Sequence, residues 1–232
     1  FYLVYLVISF TIIILWWLFP NIILFIFLIV AAFHFGKEDT IFSYKREFFI
    51  TEFLFFLKGS CVIIAPLLFQ REATNEIFNV LNFNLFEHPL FNDLFLIIFL
   101  FFSFLSSLYI SIGKSFDSKT VMIADFLSII ILNFFLTPIL AFTIYFCFLH
   151  SFRHSITLIF ELSKSFKVGF KKFIYKAVPL TLITVFVFLI SIYFLNSYYK
   201  LDEAIYKVIF IGLASLTFPH ILLEYLIEKN EK

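Results

Sequence analysis

The stretch "PILAFTIYFCFLHSFRHSITLIF", residues 138–160, decides the fold. It is long and apolar enough to cross bilayer hydrocarbon, which takes about 20 residues of helix. Yet it carries His150, Arg153 and His154. Ionisable groups inside a span are costly, face the bundle interior and mark function. The run therefore reads both as a membrane helix and as the first pointer to a site.

The rest of the chain has the same character. Of its 232 residues, 62% are hydrophobic and 14% charged, with a mean hydropathy of +1.05. A soluble domain is about 45–50% apolar and about 25% charged, so the charges here are too few to cover a water-facing surface. A net charge of +1 gives nucleic acid nothing to bind. The two cysteines, Cys61 and Cys147, lie in apolar runs and form neither a disulfide framework nor a CxxC pattern. The 40 phenylalanines read as lipid-facing bulk.

Charges and prolines divide the chain into eight candidate spans, at about 2–19, 21–36, 48–69, 91–112, 120–136, 138–160, 174–196 and 204–228. The predicted fold class is all-α, a polytopic membrane helical bundle of about eight transmembrane helices forming one domain over residues 1–232. Pro20 and Pro138 sit in two tight helical hairpins, because proline disfavours helix in the residue before it. The start at Phe1, without a basic leader, reads as the interior of a longer protein truncated at its N-terminus. Twelve Lys and Arg residues fall in the loops after the second, fourth and sixth spans and at the C-terminus, against Arg71 and Lys200 on the other side. The basic side is cytoplasmic by this bias, which predicts a multi-pass protein of the bacterial inner membrane with a cytoplasmic C-terminus.

Histidines then converge. His34 ends the second span, His150 and His154 lie in the sixth, and His220 lies in the eighth. All three spans run toward the same face, with each His roughly 12–17 residues along at 1.5 Å per residue. His88 falls in the outer loop and is set aside. His150 and His154 are four apart and share a helix face, and Cys147, Thr157 and Glu161 continue that stripe. Imidazole suits iron, zinc or copper, so the four histidines are candidate metal ligands. Asp39, Asp125 and Glu224 are carboxylates placed to orient ligand imidazoles by accepting their second N–H. Arg153 is available to neutralise one of them. Glu52 and Lys58 are expected to pair with each other or to snorkel, Pro219 to kink its helix, and Gly36 to let the chain leave its helix after His34.

Three motifs, "FHFGKED" at 33–39, "HSFRH" at 150–154 and "FPH" at 218–220, occur in that order. With them the chain resembles the Brp/Blh family of bacterial and archaeal beta-carotene dioxygenases. The resemblance covers nearly the whole chain. It implies an oxidoreductase that cleaves beta-carotene at its central double bond with O₂, giving two retinal molecules. It also implies non-haem iron(II) held by His34, His150 and His154, and a retinal-binding rhodopsin as a downstream user. The family's first-span G-x-x-H-G motif is absent from this sequence: either the N-terminal stretch that carries it has been lost, which the start at Phe1 favours, or a ligand is missing and His220 would serve in its place.

Other classes bear on the same residues. A di-iron desaturase needs about eight histidines, more than are present. A haem-binding electron carrier would use His150 and His220 as an axial pair and leave the other two unexplained. A transporter would use the histidines as a proton relay.

Overall fold

The computed structural model describes residues 2–40, 48–83 and 91–230. Its regular structure is helical: α1 Tyr2–Leu18, α2 Pro20–Glu38, α3 Phe48–Gly59, α4 Cys61–Phe69, α5 Arg71–Val80, α6 Asp93–Ile110, α7 Phe116–Phe135, α8 Pro138–Ile144, a π-helical segment Tyr145–Ser151, α9 Phe152–Leu162, α10 Phe166–Leu195 and α11 Leu201–Asn230. Seven helical segments among the described residues are long and apolar enough to span a membrane, namely α2, the joined α3–α4, α6, α7, Pro138–Leu162, α10 and α11. The eighth expected span, α1, is a shorter apolar helix of 17 residues, at the lower end of the spanning range. The protein is a multi-pass membrane helical bundle. His88 lies outside the described residues.

Pro20 and Pro138 each open a helix at its first turn, where the missing N–H costs nothing. α10 turns almost its whole surface outward: Leu182, Ile183, Phe186 and Leu189 are all more than half exposed. That surface suits lipid and would not suit water.

α2 is the central helix and packs on α1, α3, α4 and α11. Its tightest contact is with α3, and two glycines explain it. A Cβ on Gly36 would meet the Phe55 carbonyl oxygen at 1.8 Å, and one on Gly59 would meet the Ala32 oxygen at 1.9 Å. Close backbone approach through small residues is how membrane helices gain packing energy without a hydrophobic drive. Gly36 therefore serves contact rather than exit: α2 continues through it to Glu38, and the expectation that the helix ends there is corrected.

The α3–α4 span breaks at Ser60. Beside the break, Ser103 of α6 donates to the Lys58 carbonyl at 2.9 Å and Ser106 to that of Leu54 at 2.7 Å. Backbone groups within a membrane need such partners. α5, unforeseen in the sequence, is a ten-residue helix whose buried face carries Thr74, Ile77 and Phe78.

Candidate metal centre

His34 sits on the last turns of α2 and is buried, as is His150 in the π-helical segment. His34 is the common neighbour of two rings: its centroid lies 5.4 Å from those of His150 and His220. His154 and His220 are 6.3 Å apart. All four histidines line one cavity of about 560 Å³.

The spacing can be tested against what a shared ion needs. A metal–imidazole bond of about 2.1 Å puts a ring centre roughly 3.2 Å from the ion, and two rings at about a tetrahedral angle then stand roughly 5.3 Å apart. The two pairs made by His34 meet that spacing, and their interplanar angles of 68° and 86° keep the rings from stacking face to face. The His154–His220 pair is looser. Among the described residues, no group of three or more His, Cys, Asp and Glu side chains closes into a metal cluster. The fit is thus pairwise and centred on His34.

The donor chemistry fits as well. Nδ1 of His150 lies 2.9 Å from Asp39 Oδ1, and Nδ1 of His154 lies 3.4 Å from Glu38 Oε2. A carboxylate on one ring nitrogen selects the tautomer whose other nitrogen is a lone-pair donor, and it fixes the ring's orientation. Phe35 packs edge-on against His150 at 5.0 Å and Phe146 stacks on it at 5.5 Å, so the ring has little freedom to turn.

A π-helical turn makes the Asp39 contact possible. Tyr145 donates to Asp39 Oδ2 while His150 engages Oδ1. In an α-helix, residues five apart point about 140° away from each other. Hydrogen bonding from i to i+5 brings them to one side. The same turn shifts Cys147 out of the stripe expected from the sequence: Tyr145 is buried and Cys147 exposed, and farther along α9 Thr157 and Glu161 are exposed as well.

Asp39 caps the end of α2. Burial alone would raise its carboxyl. The hydrogen bond and charge of His150, the nearby Lys58 ammonium and the Tyr145 hydroxyl outweigh it and hold the group below the usual carboxylate range. Lys58 does not take the expected partner. Its ammonium donates to Thr40 Oγ1 at 2.9 Å and to the Gly36 carbonyl at 3.3 Å, bracing the chain on either side of Asp39.

Asp125 goes elsewhere. It accepts a two-pronged pair from Arg153 at 2.8 and 2.9 Å, tying α7 to α9 instead of orienting an imidazole. The side chain of Glu224 lies outside the described residues. α11 runs on through Pro219 to Asn230. Glu38 and Tyr145 are the two partners that sequence reasoning missed. Glu38 had a signal, since it stands four residues after His34 on one helix face. Tyr145 had none, because its role needs the π turn.

The family model described as BCD, beta-carotene 15,15'-dioxygenase, matches residues 1–228. A beta-carotene 15,15'-dioxygenase from an uncultured marine bacterium, 66A03, is 30% identical over 223 residues, covering 95% of this chain and 78% of that protein. No solved structure matches significantly.

Proposed function

The chain belongs to the beta-carotene 15,15'-dioxygenase family, and from that premise we propose that it is a membrane enzyme cleaving beta-carotene to two retinal molecules at iron held by His34, His150, His154 and His220. The observation that carries the reading is that four histidines line one apolar cavity in a membrane bundle. Beta-carotene plus O₂ has the composition of two retinal molecules, so no reductant is consumed. Iron(II) bound by neutral imidazoles would supply the redox chemistry with O₂, for which nitrogen ligands leaving open positions are suited.

The chain's own residues do the rest. Asp39 accepts from His150 and Glu38 lies beside His154, so each ring keeps one nitrogen directed away from its carboxylate. Phe35 and Phe146 wall His150 and keep water from it. Along the cavity, polar side chains turn back on the backbone: Tyr5 donates to the Leu216 carbonyl, Thr74 to that of Pro66 and Thr184 to that of Leu180. A hydrocarbon therefore meets apolar wall until it reaches the histidines. By the Lys and Arg bias the histidines lie toward the cytoplasm.

The test is expression in a beta-carotene-producing bacterium. Cells should lose colour and accumulate retinal, and purified protein should carry iron without a Soret band. Intact carotene and no retinal, from membrane-inserted protein that holds iron, would overturn the assignment. A Soret band would instead favour the haem carrier.

A further inference from the structure

Resting on that reading, we propose that α5 is the end stop of the substrate cavity. Through Ile77 and Phe78 it sets which double bond of the polyene lies at the histidines. A hydrocarbon offers no hydrogen bond by which a protein can register one C=C against the next, so register has to be steric. A rigid rod is registered when one end meets a wall at the right distance from the reacting groups.

The cavity has such a wall. Its lining runs along α11 from Ile209 and Phe210 to His220, and Thr74, Ile77 and Phe78 of α5 line it as well. Ile77 and Phe78 are each 5% exposed. The Phe78 ring packs on Phe210 with centroids 6.4 Å apart. Phe210 stands ten residues before His220 on α11, about 15 Å at the helical rise of 1.5 Å. That reach suits one ring and half of the polyene. Because beta-carotene is symmetric, seating one ring against α5 is enough to bring the central bond to the histidines.

The stop is also fixed in place. Arg71 at the start of α5 pairs with Asp93 and donates to the Phe91 carbonyl at 3.2 Å. At the other end, Lys207 of α11 donates to the Val80 carbonyl at 2.7 Å. Between them, Thr74 Oγ1 bonds the Pro66 carbonyl at 2.9 Å. A helix pinned to three neighbours can act as a length gauge, where a free loop could not.

Products resolved by chromatography test the idea on the full chain. Wild type should give retinal. Ile77→Ala and Phe78→Ala deepen the stop, and Ile77→Trp makes it shallower. Each should give an unequal pair of carbonyl products, one longer and one shorter than retinal, a slip by one double bond giving a shorter methyl ketone beside a longer aldehyde. A methylene lost from an apolar pocket changes discrimination by roughly 10–200-fold, so the ratio of retinal to unequal products should fall about tenfold or more. Glu76→Ala, on the exposed face of α5, should keep the wild-type pattern. If the larger changes fail to accumulate in membranes, Ile77→Val should still yield detectable unequal products. Retinal alone from active, inserted Ile77 and Phe78 variants would overturn the gauge while leaving the function intact. An iron-loaded wild type that makes no retinal would sink both.

Discussion

Tyr145 and His150 grip opposite oxygens of one carboxylate, Asp39, from positions five residues apart on the same helix. The contact joins the end of α2, which carries His34, to the segment that carries His150. It therefore sets the relation between two candidate ligands on different helices. Asp39→Asn keeps the size of the side chain and removes its charge, weakening the hold on Nδ1. Loss of such a partner costs roughly 10–100-fold in metal affinity. Iron retained after dialysis against a graded chelator should fall by that order, and Tyr145→Phe should fall less. Wild-type retention in Asp39→Asn would show that the carboxylate does not position the ring.

Metal removal gives a second expectation. Stripping iron with a chelator should abolish cleavage, and iron(II) should restore it. His34→Ala should be the most damaging single change at the site, because His34 is within 5.4 Å of both His150 and His220. It should lose bound iron and activity together while still inserting in the membrane. Stoichiometric iron in His34→Ala would remove this histidine from the ligand set.

Much of this was legible in the sequence. Span lengths, the prolines opening α2 and α8, and the shared depth of the histidines follow from helix rise and hydropathy, both local properties. What was not legible depends on tertiary contact. No local rule places a π turn at Tyr145–Ser151, so the stripe from Cys147 to Glu161 looked continuous. Gly36 looked like a helix exit because its contact partner, the Phe55 carbonyl, is distant in sequence. The sequence leaves α5 in the outer loop between the third and fourth spans, although Thr74, Ile77 and Phe78 carry the i, i+3, i+4 spacing of one buried face.

The α2–α3 contact supports a stability prediction. Gly36→Ala would put a methyl 1.8 Å from a backbone oxygen, and Gly59→Ala would do the same against Ala32. Backbone cannot swing aside as a side chain can, so the helices must part. Overpacking typically costs about 1–3 kcal/mol, and these contacts are closer than most. Either variant should melt well below wild type in detergent, and Gly36→Ala should also lose iron, since His34 rides on the same helix. Gly113, with a left-handed φ of +78° and open space around its Cβ position, is the contrast. Gly113→Asn, which tolerates that conformation, should change the melting temperature little.

Arg153 and Asp125 make the last case, because their two-pronged pair is partly buried, with side-chain exposures of 28% and 14%. It links α7 to α9 one residue before His154. Asp125→Leu leaves the guanidinium without its carboxylate inside the bundle, and breaking a buried pair costs about 3–5 kcal/mol. Partial exposure should bring the cost toward the lower end. Replacing both partners, as Asp125→Leu with Arg153→Met, removes the stranded charge, and such exchanges are often neutral. The double variant should therefore melt closer to wild type than Asp125→Leu alone. If the two losses simply add, the pair is not coupled, and α9 is held at this level by the apolar packing of residues such as Ile159.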